Sequence, residues 1–504
     1  MITVKVKTLA AAICIFIIAA AALYVALPDI LYKMKRYDEI DTYFPKSRVA
    51  ADALYWAAED SFPDLLSDSN DLIYIFPSST ITSARGSTKV VDYAIGKLEE
   101  LLTNYPDYRF AGEARWKLAH YYFQANRWTE AERYFRELAE PSPELSKRKN
   151  QYLQYGKEAK SFLELLATRS AQPDQQASVT GRVMIDGKPA ENVLVMLHRK
   201  NDHTWQGQPV GNYPMAITDQ DGVYRLYKVN PDQYEVGVGI SADRLQGMYR
   251  SEVEGSEVTV LDGKSATSDI HFVQQVKVLS PIDMTKISGE ELQFSWEPYP
   301  GAAYYQLTIT AMEHDAKGLP SGTFSSWLDE KWTDTKAGYS VEELRNYPRG
   351  VGKSFSDTQF WLSTPGILGI VYPGGDFVWS VDAFDEKGKR ISSSKGYYTK
   401  IDSMVPFFSL DGENQLEGDR LVMEYDYEGA KQAYEQQLDE PYALRALALL
   451  WLNGSSKDDE GDKAKALYYY KKLAYPSSFD LQMMASAYEA LGDHDEAKRI
   501  RKEP

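Results

Sequence analysis

Residues 106–143 read PDYRFAGEARWKLAHYYFQANRWTEAERYFRELAEPSP, two helical patterns around a short polar turn. The first carries Ala111, Ala114, Leu118, Ala119 and Tyr122 at three- and four-residue spacings. The second carries Ala131, Phe135 and Leu138 before a proline stops it. Neither helix buries its apolar face alone, so the pair requires stacked neighbours. Small residues at Ala119 and Ala131 let the two backbones approach, and Tyr122 and Phe135 fill the groove beside them.

The same pattern recurs on both sides. In residues 45–62, PKSRVAADALYWAAEDSF, Arg48, Ala50, Ala53, Ala58 and Phe62 match Arg109, Ala111, Ala114, Ala119 and Phe123 at one constant offset. Residues 63–87 then interrupt the periodicity with LIYIFPSSTITS, readable as a packed lid or as a contact loop. Helix resumes at Thr88, where Ala94, Leu98, Leu101 and Pro106 mirror Ala131, Phe135, Leu138 and Pro143, and residues 145–168 cap the stack. Near the C-terminus Ala430 and Tyr434, Ala464 and Tyr468, then Ala497 recur at spacings of 34 and 33, which makes the three alanines expected interhelix contacts. Residues 442–452 and 481–491 supply the preceding helices, and AYEALGDHDEAKRI closes the series with Gly492 at its turn. Both regions resemble tetratricopeptide repeats of the looser kind found in bacterial envelope proteins. That resemblance implies binding grooves rather than active sites, with Tyr122, Trp128 and Tyr134 as partner-binding candidates that fit a core equally well.

Between the helical regions the period falls to two. After a polar linker, residues 179–185, 193–199, 223–229 and 234–240 read as strands, with turns at Asp186-Gly187 and at the DQDG of 219–222. Residues 178–272 resemble a carboxypeptidase regulatory-like domain, a small transthyretin-like β-sandwich. They depart from that family at Asp232-Gln233, where a Gly is usual before the Tyr. Asp219 and Asp221 beside Gly222 suggest calcium, but an EF-hand loop needs further oxygen ligands and a closing Glu, and Asn230 stands there. A turn fixed by Asp and Gly is the better reading.

From residue 276 to 401, Leu292, Phe294 and Trp296 alternate, then Tyr305, Leu307 and Ile309, and later Phe377, Trp379, Val381 and Ala383. This resembles a fibronectin type III domain with Trp296 and Trp379 in its core. The middle, residues 313–375, is longer than that family's and carries Trp327, Trp332 and Trp361 in Gly- and Ser-rich context. It is either a surface that stacks on sugar or peptide, or an extended loop packed on the sandwich.

Residues 9–27, LAAAICIFIIAAAALYVAL, carry no charge and match a bilayer core in length. Lys5 and Lys7 precede them and Lys33, Lys35 and Arg36 follow, so charge does not settle orientation; the extracellular-type modules place the bulk outside. Small residues at Ala20 and Ala22, or at Ala26, also fit a cleavable signal, though the run exceeds a usual h-region. Ile13 before Cys14 does not fit a lipobox, and that lone cysteine leaves no disulfide, cysteine-held metal or thiol nucleophile beyond it.

A net charge of −17 with a pI near 5.0 argues against nucleic acid. The six histidines have no HExxH spacing, and GxSxG, P-loop and dinucleotide motifs are absent. The expected organisation is therefore multidomain: tail (1–8), transmembrane anchor or uncleaved signal (9–27), all-α helical repeats (37–169), linker (170–177), two all-β sandwiches (178–275 and 276–402), linker (403–418) and C-terminal α-helical repeats (419–504). The expected function is a membrane-anchored, non-enzymatic scaffold that binds protein or peptide partners, without metal or cofactor. The alternative is a cell-wall or carbohydrate binder using Trp327, Trp332 and Trp361. A hydrolase finds no segment left to hold its catalytic domain.

Overall fold

The computed structural model describes residues 6–61, 72–75, 80–81, 88–125, 127–140, 149–170, 176–200, 213–251, 257–314, 320–347, 349–355, 360–396 and 405–501. The side chains of 6–14, 16–20, 61, 72–74, 80–81, 88–91, 124, 149–154, 242–243 and 320 lie outside that description. Two compact units result, one built on the chain up to Val273 and the other on the chain from Gln274 onward.

In the first unit, α1 (Val6–Lys33), α2 (Tyr37–Tyr43) and α3 (Ala50–Ser61) lead to α4 (Thr88–Asn104), α5 (Ala111–Gln124), α6 (Trp128–Ala139) and α7 (Lys149–Ala167). From α3 onward each helix packs on the next. Ala111, Ala114, Leu118 and Ala119 of α5 are fully buried, as are Ala131 and Phe135 of α6, so the short side chains do set the close approach. The backbone of α1 is continuous over its whole length. Among the described residues no helix is long and apolar enough to cross a membrane, and most side chains of the 9–27 segment lie outside that description.

The first sandwich follows: β3 (Val179–Ile185), β4 (Lys188–Pro189), β5 (Leu194–Arg199), β6 (Met215–Ile217), β7 (Val223–Leu226), β8 (Asp232–Ser241), β9 (Met248–Arg250), β10 (Glu257–Val260), β11 (Ala266–Thr267) and β12 (Ile270–Gln274). Asp186 and Gly187 both adopt positive φ, as a two-residue hairpin requires. The Asp219 carboxylate accepts the N–H groups of Asp221 and Val223 and pairs with Arg225, which ties the DQDG turn together.

The 63–87 interruption holds β1 (Leu72–Ile75) and β2 (Thr80–Ile81), and β1 joins the sandwich. One side of β8 pairs with β5. On the other, β10 covers Asp232 to Glu235 and β1 covers Val238 to Ser241. Arg250 pins the junction, donating to the carbonyls of Ile75 and Val236. An edge otherwise open to pairing is thereby closed from within the chain.

β5 is apolar on both faces, and each face has a use. Val195 and Leu197 point into the sandwich core, whereas Leu194 and Met196, with Met215 and Ile217, belong to the core of the helices. The helices thus pack on one face of the β5–β6 pair, and the other face lines the separate core of the sandwich.

The second unit contains β13 (Val278–Ser280), β14 (Thr285–Ile287), β15 (Glu291–Trp296), β16 (Tyr304–His314), β17 (Pro320–Trp327), β18 (Lys336–Ser340), α8 (Val341–Arg345), β19 (Lys353–Phe355), β20 (Phe360–Leu362), α9 (Thr364–Leu368), β21 (Asp376–Phe384), β22 (Arg390–Ser393) and β23 (Phe407–Leu410). A three-stranded sheet β13-β15-β18 faces a larger one ordered β14-β23-β21-β16-β17, with β22 also on β21. Trp296 and Trp379 are buried between them. Residues 403–418, expected as a linker, instead contribute β23, because Phe408 completes the core between β14 and β21.

Six helices end the chain: α10 (Glu417–Met423), α11 (Tyr427–Glu435), α12 (Pro441–Asn453), α13 (Lys463–Tyr470), α14 (Ser478–Ala490) and α15 (His494–Ile500). Asp426, Asp462 and Asp493 cap α11, α13 and α15 through the N–H three residues on. The alanine four residues past each cap, Ala430, Ala466 and Ala497, is fully buried. Ala464 is exposed, so the expected 34-residue match slips by two in its middle member. The longer NGSSKDDEGD loop before Lys463 causes the slip.

Candidate interaction surfaces

Tyr122 and Tyr134 are buried and stacked, with centroids 5.8 Å apart and planes at 11°. Both hydroxyls donate to Glu99 Oε1 of α4, at 2.5 and 3.3 Å. The Arg127 and Arg133 guanidiniums lie 4.5 and 4.4 Å from the two ring centroids. Burial, with the Glu99 carboxylate, raises the Tyr122 hydroxyl above its ordinary range, and burial leads in pushing Tyr134 up to about 12. This is a closed knot linking three helices. Trp128 is likewise buried, edge-on to Phe123 at 4.6 Å. All three residues lie in or against the helical core.

The three tryptophans of the second sandwich diverge. Trp327 ends β17 and is 66% exposed. Trp332 is half-buried, bridges to Tyr305 through its backbone and donates Nε1–H to the Tyr339 hydroxyl at 2.9 Å. Trp361 is half-buried on β20, opposite Ser354 of β19. Trp327 and Trp332 lie opposite nearby positions of β16, while Trp361 belongs to a separate hairpin. No common platform forms.

The long middle of this domain turns toward the C-terminal helices. Leu344, Ile367 and Leu368 share their core, and the Tyr427 hydroxyl accepts the Leu362 N–H at 2.7 Å. Arg345 reaches buried Asp419 at 3.1 Å, and Asp419 also accepts the Tyr434 hydroxyl. Arg445 grips Asp480 with two bonds of 2.6 and 2.7 Å, both side chains buried. Arg349 donates to the carbonyls of Gly366, Arg345, Tyr347 and Ile367, and lies over the Phe479 ring. Burial, then repulsion from Arg445, lowers it to about 9. Sequence reading missed these pairs, though one signal existed: Arg445 stands alone in the apolar run YALRALALLWL.

Among the described residues, several aromatic side chains remain on the surface. Tyr475, between α13 and α14, is 93% exposed, and Tyr468 on α13 is also exposed with Lys472 over its ring. In the first unit, Trp56 and Phe110 border an Arg109–Asp52 pair. Among the described residues, no group of His, Cys, Asp and Glu is arranged to hold a metal. Asn453 of the NGS sequon donates to the Leu449 carbonyl and is partly buried.

No family model matches the sequence, and no curated protein does. Several solved structures align with just under half of the chain, among them a DUF3823 family protein from Bacteroides ovatus ATCC 8483 (12% identity, 45% of this chain and 97% of that one, TM-score 0.14), another from Parabacteroides merdae ATCC 43184 (10%, 46% and 97%, 0.14), and the FN1-FN3 domains of chicken CNTN1 (10%, 47% and 66%, 0.13). TM-scores this low leave the reading of the chain to its own residues.

Proposed function

We propose that this is a membrane-anchored, non-enzymatic interaction protein of a bacterial envelope, in which helical stacks of tetratricopeptide type engage protein or peptide partners. One observation carries the reading: in each unit a continuous apolar cluster joins a helical stack to strands of a β-sandwich. Such a joint holds surface groups in fixed positions, as a recognition surface needs. Anchoring is supported by Ile15, Leu23, Tyr24 and Val25, large apolar side chains of α1 left exposed. A photo-crosslinking residue at Tyr475, and separately at Trp56, tests the partner reading in intact cells. A discrete adduct at either position is expected, and its absence at both, with the chain present in the membrane fraction, overturns the proposal.

A second reading, glycan binding, now rests on Trp327 alone, whose exposed ring neighbours the hydrogen-bonded Thr310 and Ser325 hydroxyls. Unchanged cell-wall binding by Trp327→Ala would remove it.

A further inference from the structure

We propose that two copies of this chain associate by antiparallel pairing of β17 with β17, continuing the larger sheet of the second unit from one copy to the other. β17 is the terminal strand of that sheet. Its ladder phase is fixed by the Leu328 N–H, which donates to the Leu307 carbonyl at 2.9 Å one residue beyond the strand. Antiparallel pairs alternate, so Gly322, Phe324 and Ser326 also bond toward β16. The N–H and C=O groups of Ser321, Thr323, Ser325 and Trp327 therefore point away from it. The same four side chains are exposed.

Edges of this kind are usually blunted by charge, an internal proline or a bulge. Residues 321–327 contain no charged residue and no proline, and the register shift of the β16–β17 pair lies at its far end, at Glu313/His314. The segment is also complementary to itself. With a twofold axis through Phe324, Thr323 faces Ser325 of the second copy and Ser321 faces Trp327. Hydroxyls then meet hydroxyls, and the largest side chain lies over one of the smallest. The result is an isologous, closed interface. A net charge of −17 on each copy opposes association, so the dimer should strengthen as salt screens that repulsion.

The inference is independent of the partner reading above, but it covers Trp327 and so competes with glycan binding there. Because Cys14 is the only native cysteine, Cys14→Ser gives a clean background for cross-linking the full chain in detergent. Mixing a Thr323→Cys chain with a Ser325→Cys chain should yield an oxidised dimer, while neither alone should, since like positions lie too far apart across the axis for a disulfide. In parallel, sedimentation velocity should show a salt-strengthened dimer. Thr323→Lys combined with Ser325→Lys should weaken it at least about tenfold, with the circular dichroism spectrum unchanged. A monomer at every concentration and salt level overturns the proposal. So does a dimer untouched by the lysines, or cross-linking between like variants only.

Discussion

At the scale of single residues, the second unit depends on charges placed where water does not reach. Asp480 both neutralises Arg445 and completes the α14 capping box with Ser477. Asp480→Ala strands a buried guanidinium and opens a helix end, so it should destabilise the unit by about 3–5 kcal/mol, read by chemical denaturation. Replacing both partners with apolar residues should recover much of that loss. His120 gives the first unit a different dependence. Burial, then the nearby Lys117 charge, lowers its pKa to about 3, and it lies 3.4 Å from Glu158, whose own pKa burial raises. An unfolded histidine titrates near 6.5, so the neutral His120 contributes stability fully above that pH and loses it as pH falls toward 3. Glu158 acts in the opposite sense, favouring the fold at low pH and less so as pH rises past the ordinary carboxylate range. The net expectation is a first-unit melting temperature that drops from pH 7 to pH 5, by at most about 1.4 kcal/mol of stability per pH unit from the histidine. His120→Gln should flatten that slope, and an unchanged slope would assign it elsewhere. Little of this was legible beforehand, because a side chain's burial depends on what another segment brings to it.

At the scale of elements, local pattern carried further. The turns at Asp186-Gly187 and Asp219 to Gly222 follow from residues whose backbone preferences are strong enough to act alone. The alternating apolar positions of β15 and β21 likewise fixed which side chains line the second sandwich. The slip in the C-terminal helices shows where such reasoning stops: Ala464 and Ala466 both suit a helix face, and only the Asp462 cap selects Ala466. Gly454 ends α12 at φ 79°, and a Cβ there would lie 2.0 Å from the Asp459 carbonyl oxygen. Gly454→Ala should therefore cost more than the usual helix-end substitution, about 2 kcal/mol or more in a denaturation experiment. β1 was the least legible element, since its ladder partner lies far along the chain. Replacing residues 72–81 with a Gly/Ser linker should strip Val238 to Ser241 of their ladder partner on that edge of β8 and Arg250 of its Ile75 acceptor. Faster amide exchange along β8 and greater aggregation are the expected readouts.

At the scale of the whole molecule, each unit builds its own apolar core among the described residues. Calorimetry of the full chain should resolve two transitions, and Asp480→Ala should shift only one of them. A single transition moved as a whole would mean the units unfold together. The coarse outline of helices and two β-sandwiches was open to sequence reading because periodicity changes sharply at its borders. The joints were not, since β5 serves two cores at once and nothing in Leu194 to Arg199 says what lies on either side.

That the β8 edge is closed by a strand from near the beginning of the chain imposes an order on biosynthesis. Arg250 lies 175 residues beyond the Ile75 carbonyl it holds. At ordinary ribosomal rates the 72–75 segment emerges roughly 10–35 s before that arginine exists. For that interval the nascent chain carries an unmatched strand, so a chaperone or a slow translation site acting in this window would protect it at its most vulnerable.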